Sequence, residues 1–306
     1  MINLENKSPA VVIVIPNYNG STIKYRDRPI IDACLNSLSK TTYKNYKIVI
    51  TDDSTDNSLK YLRNNYKNLK FTSIAPTGYS ENANNGIKYA MRYYPDYIIL
   101  LDNDVIIIDK NWLSKMINVA EGDKSIGIVG CQLLSDDKTI RGTVVRLGDR
   151  FGLDSVGTNE WNVFNYNKII DAQTVSGAVF LMKISAIKKV GFLDENFRNG
   201  YNDDDYCLRT LNAGMRVVFD GKVKCIHIGS VTNENIKTSN NFKALYFNMR
   251  NRFYFLRKHR GRCGPIRSLV WHMIYFSSGV WGRNPAKRFF VSLKAFLDAN
   301  YLKMSK

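Results

Sequence analysis

Three of the short carboxylate clusters in the chain are candidates for chemistry, because pairs or triples of acids can bind metals or move protons. The clusters are Asp52-Asp53-Ser54-Thr55-Asp56, Asp102-Asn103-Asp104 and Asp203-Asp204-Asp205. Two carboxylates that flank one residue of an extended turn can share a divalent cation, whose other positions are filled by diphosphate oxygens and water. Asp102 and Asp104 are therefore candidate metal ligands. The alternative interpretation is that they are two surface acids in a loop. The position of the motif in the fold distinguishes the two interpretations.

The third acidic cluster begins an apparent helix, Tyr206 to Ala213, which Gly214 closes. Acids at this position stabilise the helix dipole, and one of them is also a candidate general base that faces an acceptor hydroxyl. His227 lies in the alternating stretch Cys225-Ile226-His227-Ile228, which is typical of a strand. A lone histidine is usually structural, but its neutral imidazole can supply the further ligand that two aspartates need to hold a metal.

Apolar runs before the first two acidic clusters predict the elements that position them. Ala10 to Ile15 is an unbroken apolar run that ends at Pro16-Asn17-Tyr18-Asn19-Gly20, and it predicts a strand buried on both faces. Tyr46 to Thr51 and Tyr97 to Leu101 have the same character. The helical stretches between and around these strands are Ile30 to Ser39, Ser58 to Tyr66 and Asn84 to Tyr93. This alternation predicts an α/β fold with a doubly wound sheet of parallel strands, which binds ligands beyond the carboxyl ends of its strands.

The second half of the chain adds a further strand and lacks two common phosphate-binding motifs. Val175 to Met182 predicts a buried strand, with Gly177 at a point where a ligand or another backbone approaches closely. No G-x-G-x-x-G follows the first strand, and no G-x-x-x-x-G-K-[ST] occurs in the sequence. The dinucleotide-binding and P-loop interpretations therefore lose their main support.

Composition limits the class of protein. The 306 residues are 44% hydrophobic, which excludes a disordered, collagen-like or disulfide-stapled chain. A net charge of +17 indicates an anionic partner such as a phosphate, a nucleic acid or an acidic membrane surface. The five cysteines form no C-x-x-C pair, which favours a reducing compartment over a disulfide framework or a thiolate zinc site. The N-terminal residues lack the layout of a secretory signal, so we expect a cytoplasmic protein.

The segment 241–306 differs in composition from the rest of the chain. It contains 14 of the 44 lysines and arginines but a single acid, Asp298, and 14 aromatic residues. Mixed aromatic and basic residues suit a membrane interface. The longest uncharged stretch, Ser268 to Gly282, would span roughly 22 Å as a helix, too little for about 30 Å of hydrocarbon.

Beyond Pro285, apolar residues recur at helical spacing on one stripe. The stripe consists of Phe289, Phe290, Leu293, Phe296, Leu297 and Tyr301. We therefore predict a catalytic domain at 1–240 and a basic, amphipathic helical tail at 241–306 that binds membranes without crossing them. The alternatives are that the stripe packs on the catalytic domain or on a second copy of the chain.

Seven segments, in order along the chain, resemble those of the inverting glycosyltransferases of family 2, which have a GT-A fold; the resemblance implies a doubly wound mixed sheet. They are Val12 to Asn19, Asp52 to Ser58, Gly78 to Gly86, Leu101 to Val105, Ser176 to Ala178, Phe192 to Arg209 and His227 to Ser230. Each segment alone is a weak signal, whereas seven in order are specific. The layout, with its basic aromatic tail, is most similar to the rhamnosyltransferase-like branch that builds surface polysaccharides.

The resemblance implies direct displacement at the anomeric carbon of a nucleotide sugar, carried by UDP or dTDP. It implies Mn²⁺ or Mg²⁺ on Asp102, Asp104 and His227, and Asp203 as the base that takes the proton of the acceptor hydroxyl. The residues that it implies for donor binding are Pro16, Asn17, Tyr18, Asn19, Asp52, Gly78, Asn84, Asp102 and Asn103.

The sequence departs from the family pattern at two places. Asn202-Asp203 stands where the family usually has Glu-Asp, which leaves Asp204 and Asp205 as competitors of Asp203 for the role of base. The acidic loop after the second strand is one residue shorter than D-D-G-S-T-D, so the choice of Asp52 over Asp53 as the contact to the nucleotide base is a hypothesis.

Two other classes of protein compete with this interpretation. A nucleic-acid-binding protein would use the basic aromatic tail, but it leaves the aspartate clusters unexplained because carboxylates repel phosphates unless a metal intervenes. A nucleotidyltransferase also uses paired carboxylates and a metal on an α/β sheet. For the glycosyltransferase we expect as partners a nucleotide-sugar donor, a glycan or lipid-linked acceptor and the inner face of the cell membrane, and no nucleic acid.

Overall fold

Strands and helices alternate along the first half of the chain, as the apolar runs predict. The computed structural model describes residues 8–142, 144–148, 152–156, 167–229, 242–261, 263–277 and 285–302. The strands are β1 (Val11–Asn17), β2 (Lys24–Tyr25), β3 (Arg28–Pro29), β4 (Tyr46–Asp52), β5 (Lys70–Ser73), β6 (Tyr97–Leu101), β7 (Val105–Ile107), β8 (Ile126–Leu134), β9 (Ile140–Gly142), β10 (Val144–Gly148), β11 (Gly152–Val156), β12 (Ile169–Asp171), β13 (Thr174–Val175), β14 (Val179–Lys183) and β15 (Arg216–His227). The helices are α1 (Ile30–Leu38), α2 (Ser58–Asn65), α3 (Tyr79–Ala90), α4 (Trp112–Gly122), α5 (Ile184–Val190), α6 (Asn202–Asn212), α7 (Phe242–Arg260), α8 (Cys263–Ser277) and α9 (Pro285–Tyr301), and a 3₁₀ turn follows α3 at Met91–Tyr93.

One large mixed sheet organises these elements. Its strand order is β5-β4-β1-β6-β14-β8-β15-β12, with β7 paired to β15 and β9 paired to β8. The strands β5, β4, β1 and β6 are parallel, whereas β14 runs antiparallel to both of its neighbours, β6 and β8. The predicted doubly wound mixed sheet is therefore confirmed. Because β8 returns to the direction of β6, the carboxyl ends of β4, β1, β6 and β8 share one edge.

Helices cover both faces of the sheet, which is why its central strands are uniformly apolar. Ile13 and Ile15 of β1 pack with α1 and α4 on one face, while Val12 and Val14 pack with α3 on the other. All seven residues of β1 are buried. A strand with helices on both sides has no solvent face to fill with polar residues, so the alternation of an exposed sheet is absent from it.

Three element boundaries differ from the sequence prediction. The helix predicted from Asn84 begins earlier, at Tyr79, directly after Gly78 in a backbone conformation with φ +131°. The helix predicted from Tyr206 begins at Asn202, after Tyr201 in the left-handed conformation, so the three aspartates lie inside its first turn. The strand predicted at Val175 to Met182 divides into β13 and β14 at a turn that contains Gly177. In each case a local turn conformation overrides the apolar pattern.

The C-terminal segment is helical, as predicted, and its first helix is deeply packed into the fold. Phe253, Tyr254 and Phe255 of α7 are fully buried, in one cluster with Phe197 and with alanines of α9. In the described ranges of the chain, no helix combines the length and the apolar character needed to cross a bilayer.

The predicted apolar stripe on α9 is divided between two environments. Phe296 packs against Phe253, with ring centroids 5.4 Å apart. Phe290, Leu297 and Tyr301 are exposed, at 66%, 49% and 84%. The uncharged stretch Ser268 to Gly282 lies only in part within the described residues. One side of α9 is therefore used for packing on α7, and the other side remains accessible.

A buried ionic cluster joins α7 to the rest of the molecule. The carboxylate of Asp205, with no exposed surface, lies 2.8 Å from Arg209 Nε, 2.9 Å from Lys258 Nζ and 2.9 Å from His259 Nε2. Lys258 Nζ is also 2.7 Å from the buried carboxylate of Asp194. Burial alone would raise the pKa of Asp205, but the hydrogen bond from His259 and the charges of Arg209 and Lys258 outweigh it and lower this pKa to about 2.

The lowered pKa predicts a pH-dependent contribution to stability. A carboxylate whose folded-state pKa lies below its unfolded value stabilises the fold above the unfolded pKa, and the contribution is lost as pH falls through the folded pKa. We expect Asp205→Asn to lower the free energy of unfolding by roughly 2 kcal/mol at pH 7. The difference from the wild-type chain should shrink between about pH 4 and pH 2, measured by chemical denaturation. Asp136→Asn, at an exposed pair with Arg26, is the control and should change stability by less than ~1 kcal/mol.

Candidate active site

The polar segments identified in the sequence meet at the carboxyl edge of the sheet. Asn17, the last residue of β1, is in register with Asp52, the last residue of β4. Asp102 follows the neighbouring strand β6, and its backbone N–H donates to the carbonyl of Ala178, just before β14, at 3.0 Å. The parallel strands thus bring three loops together that are separated by tens of residues in the chain.

Asn17 connects these loops. Its side chain is fully buried, and Nδ2 donates to Asp52 Oδ2 at 2.6 Å, while Oδ1 accepts from Asn103 Nδ2 at 2.8 Å. Its backbone carbonyl accepts from Asn82 Nδ2 at 3.3 Å. A polar side chain without exposed surface is stable only when its donors and acceptors are paired, and those of Asn17 are paired across the site.

The loop after β1 is held against the second acidic loop. Asn19 is left-handed, with φ +53°; its N–H donates to Ser54 Oγ at 2.8 Å, and its Oδ1 accepts from the N–H of Thr55 at 3.0 Å. Pro16 is buried within β1, whereas the ring of Tyr18 is 47% exposed. Tyr18 therefore presents an aromatic surface at the rim of the site.

Gly78 occupies a position that only glycine fits. Its φ is +131°, and a Cβ there would lie 2.8 Å from the carbonyl oxygen of Arg198. Its N–H donates to Asp53 Oδ2 at 3.2 Å, and Asn82 Nδ2 donates to Asp53 Oδ1 at 2.9 Å. Burial raises the pKa of Asp53 above its ordinary value despite these donors.

Asn84 is turned toward a different part of the fold. Its amide donates to the carbonyl of Leu193 at 2.9 Å and to Glu195 at 3.0 Å, and its oxygen accepts from the N–H of Leu193 at 3.0 Å. The side chain is buried and bridges α3 to the segment that precedes α6. The hydrogen bonds of Asn84 therefore do not join it to the loops around Asn17.

Asp102, Asp104 and His227 form one cluster of potential metal ligands. One ligand atom from each lies within 4.8 Å of the others. His227 Nε2 is 3.2 Å from Asp104 Oδ1 and 3.7 Å from Asp102 Oδ2. The second oxygen of each carboxylate is held separately, that of Asp102 by Tyr79 OH at 2.9 Å and that of Asp104 by the N–H of Gly229 at 3.0 Å. One oxygen of each aspartate is thus directed to the histidine.

The two aspartates of this cluster differ in their electrostatic surroundings. Burial and the adjacent charge of Asp104 raise the pKa of Asp102 to about 7. Burial also acts on Asp104, but hydrogen bonding and attraction from His227 outweigh it and hold the pKa of Asp104 below its ordinary value. Two carboxylates this close repel each other, so the site favours a cation between them.

The three consecutive aspartates of α6 face three different environments. Asp203 Oδ2 accepts from the N–H of Gly177 at 2.7 Å, and its charge acts on Asp102 and Tyr79. Burial raises the pKa of Asp203. Asp204 is directed toward β13, and burial together with the neighbouring Asp203 raises its pKa well above the ordinary value. Asp205 belongs to the ionic cluster with α7 and is occupied by cations.

The sequence analysis did not single out Tyr79 or Asn82, although both lie in the segment Gly78 to Gly86. Tyr79 holds the metal-ligand candidate Asp102, and Asn82 holds Asp53 and the carbonyl of Asn17. A helix begun at Tyr79 instead of Asn84 places these two residues three apart, on one helical face. A prediction that started α3 at Tyr79, directly after Gly78, would have identified both residues as candidates for the site. Ser230, the last residue of the predicted histidine motif, lies outside the described residues.

Fold and site together define a glycosyltransferase of the GT-A fold. Residues 12–189 match the model of glycosyl transferase family 2, and the chain belongs to that family. A mannosyltransferase from Pyrobaculum calidifontis, solved with GDP-Man and Mn²⁺, has the same fold at 15% sequence identity, with a TM-score of 0.54 over 98% of this chain and 77% of that one.

The proteins to which the chain is similar include two rhamnosyltransferases and an O-antigen biosynthesis protein. The chain is 24% identical over 229 residues to the rhamnosyltransferase WbbL of Escherichia coli, and this match covers 71% of this chain and 84% of WbbL. It is 24% identical over 239 residues to the dTDP-rhamnosyl transferase RfbF of Shigella flexneri, with 76% and 78% covered. It also matches the O-antigen biosynthesis protein RfbC of Myxococcus xanthus at 24% identity, but over only 17% of that protein.

The close contact of Gly177 with Asp203 predicts that a methyl group there disturbs the site. A Cβ at Gly177 would lie 2.9 Å from Asp203 Cβ and 3.1 Å from Oδ2, so the aspartate must move. We expect Gly177→Ala to lower the rate of sugar transfer at least tenfold, because misplacing a catalytic group by about 1 Å costs up to a hundredfold. Gly122→Ala, at the end of α4 with no atom within 4 Å of the new methyl, should leave the rate unchanged. Equal rates for both variants would contradict the assignment of Asp203 to the reacting region.

Proposed function

We propose that this chain is a metal-dependent inverting glycosyltransferase, which moves a sugar from a UDP- or dTDP-sugar to a hydroxyl of a glycan or lipid-linked saccharide. The observation that carries the proposal is the Asp102, Asp104 and His227 cluster together with the Asp203 carboxylate beside it. A nucleotide diphosphate needs a cation among these acids, and an acceptor needs a base. The mannosyltransferase that shares the fold binds GDP-Man and Mn²⁺, and RfbF is named for a dTDP-sugar.

The donor nucleotide would lie over the loops at the carboxyl ends of β1 and β4. Tyr18, exposed at the rim, can stack on a base, and the carboxylate of Asp52 can accept from a base N–H. Pro16, Asn19 and Gly78 would shape this half of the site, while Asn17 and Asn103 connect it to Asp102. Asn84 would support the donor site indirectly, through its hydrogen bonds to Leu193 and Glu195, without contacting the nucleotide.

The residues of the metal cluster fit Mn²⁺ or Mg²⁺. Two carboxylate oxygens and one imidazole nitrogen form a donor set that suits such a cation. The partners of the other carboxylate oxygens, Tyr79 and Gly229, orient the ligands, as outer contacts do in metal sites generally. A bound divalent cation offsets the negative charge that develops on the leaving diphosphate.

Asp203 would act as the general base, with Asp204 as the competing residue. Burial raises the pKa of Asp203, which makes its carboxylate a stronger proton acceptor than an exposed aspartate. As the acceptor oxygen forms its bond to the anomeric carbon, the bond from that carbon to the diphosphate oxygen breaks, and the hydroxyl proton passes to Asp203. Because the acceptor attacks from the face opposite the leaving diphosphate, the anomeric configuration inverts.

The helices α7 to α9 would place this enzyme on the cytoplasmic face of a membrane, next to a lipid-linked acceptor. Among the side chains of α8 and α9 whose exposure the structure describes, the large exposed apolar ones are Ile266, Val270, Phe290, Leu297 and Tyr301. Lys287 and Arg267 are exposed among them, and each cation near an anionic leaflet contributes about 1 kcal/mol. The catalytic domain would extend over 1–240 and the membrane-binding tail over 241–306, although α7 itself is part of the packed fold.

A thermal-shift screen tests the donor and the metal together. UDP-, dTDP- and GDP-sugars are added with and without Mn²⁺, and we expect one nucleotide class to raise the melting temperature only when Mn²⁺ is present, since binding to the native state stabilises it. Asp104→Asn should keep the fold and lose the Mn²⁺-dependent shift, because a neutral amide is a poorer ligand for a hard cation. A shift that is equal without metal would refute the metal assignment.

Neutralising each acid in turn identifies the base. We expect Asp203→Asn to keep the donor-induced thermal shift and to lower kcat on the order of a hundredfold or more, the range for removing a general base. Asp204→Asn should have a smaller effect because its carboxylate is directed to β13. If the two effects are reversed, Asp204 is the base.

Flotation with liposomes tests the membrane surface. The full chain should float with anionic vesicles and be partly released by high salt, whereas a Phe290→Ser, Tyr301→Ser double variant should float less. Tyr94→Ser, at an equally exposed ring far along the chain from the tail, is the control and should float like wild type. Removal of the whole segment 241–306 would not test this surface, because it would also remove the buried aromatic residues of α7. Flotation that is unaffected by the double variant would exclude this surface of α9.

A further inference from the structure

We infer that α7 is a positioning element for Asp203, acting through the first turn of α6; the inference rests on the proposed role of Asp203 as base. Two features of the structure support it. One is the ionic cluster around Asp205 inside that turn, and the other is a set of hydrogen bonds from α7 to the backbone that leads into the turn.

The ionic cluster connects two helices that are distant in sequence. Arg209 lies on α6 itself, four residues after Asp205, and its salt bridge is local to that helix. Lys258 and His259 come from the last turn of α7, and both reach the same oxygen of Asp205 at 2.9 Å. Lys258 also reaches Asp194, so one cation of α7 holds both the segment before α6 and α6 itself. Buried charges of this kind allow little displacement, because separating them leaves an uncompensated charge.

The backbone that enters α6 is held by the middle of α7. Asn251, fully buried, donates from Nδ2 to the carbonyl of Asn199 at 2.6 Å and to that of Gly200 at 3.2 Å. Gly200 and Tyr201 both have positive φ, at +79° and +66°, and this turn sets the residue at which α6 begins. The ring of Tyr201 packs on Phe255 of α7, with centroids 5.4 Å apart.

Asp203 lies between these two points of attachment. It is two residues after Tyr201 and two residues before Asp205. Its carboxylate is bound by the N–H groups of Gly177 and Asp204, and α7 acts on it through the backbone of the turn. A helical turn held at both ends has little freedom to rotate, so α7 sets the direction of the Asp203 side chain toward Asp102 and Tyr79.

Lys258→Met tests the inference in the full chain, with kcat, donor KM and melting temperature measured for each variant. Methionine keeps the length and the apolar stem of lysine but removes the charge. We expect kcat to fall about tenfold while the donor KM stays within twofold. The variant removes the ion pair between Lys258 and Asp205 in the turn that carries Asp203, but it leaves the hydrogen bonds of the donor loops intact. Lys258→Arg should restore most of kcat, because it restores the cation.

Asp298→Asn is the matched control for a general loss of stability. Asp298 of α9 pairs with Tyr246 of α7 and with Lys294, and neither partner belongs to α6. It should lower the melting temperature and leave kcat unchanged. His259→Gln leaves Lys258 and Arg209 in place. It should also lower kcat without changing the donor KM, but the decrease in kcat should be smaller than for Lys258→Met.

The outcomes separate this inference from the proposed function. If Asp203→Asn is inactive and Lys258→Met has kcat within twofold of wild type, α7 does not position the base and the proposed function stands. If Asp298→Asn loses as much kcat as Lys258→Met, the effect is one of stability and the inference is wrong. If Asp203→Asn retains wild-type activity, the proposed role of Asp203 is itself wrong.

Discussion

Compensation of negative charge at one edge of the sheet governs how the elements of this protein are arranged around its site. Seven aspartates lie at or beside the carboxyl ends of the strands, and each is buried or half-buried. They are Asp52, Asp53, Asp102, Asp104, Asp203, Asp204 and Asp205. An uncompensated carboxylate in such surroundings costs several kcal/mol, so every neighbouring element contributes a donor, a cation or a metal-binding geometry.

The mode of compensation changes along this edge. Amides, hydroxyls and backbone N–H groups donate to the first two acids, Asp52 and Asp53, and these hydrogen bonds hold the surrounding loops together. At the centre, Tyr79, Gly229 and His227 leave one oxygen of each carboxylate directed to a shared position. At the far side, Lys258 and His259 of α7 bind one oxygen of Asp205, and Arg209 of α6 binds the other. Asp102 and Asp104 each keep one oxygen directed to His227, which makes these three residues the candidate metal ligands of the site.

The first turn of α6 shows how three identical side chains come to lie in three different environments. Successive residues of a helix are rotated by about 100°, so adjacent aspartates face different partners. Asp203 meets the turn at Gly177, Asp204 meets β13, and Asp205 meets Lys258 and His259. Cations lower the pKa of Asp205 to about 2, whereas burial raises the pKa of the other two. The pKa values of neighbouring carboxylates thus shift in opposite directions, which separates an ion-paired aspartate from two candidate bases within one tripeptide.

Local sequence patterns were enough to predict the sheet, the polar loops at its carboxyl edge and the grouping of Asp102 and Asp104 with His227 as a candidate site. Buried parallel strands are continuously apolar, and the polar residue after each strand must lie at the shared edge.

The burial of α7 against α6, in contrast, was decided only by packing in three dimensions. Nothing in the composition of 241–306 distinguishes a cation that contacts solvent or lipid from Lys258, which is enclosed by Asp194 and Asp205. The partners of Asn84 and Tyr79 were likewise hidden, because they lie 109 and 23 residues away in the chain and depend on where α3 begins. Long-range contacts between side chains have no periodic signature in the sequence, and they decide which charges are structural and which remain for chemistry.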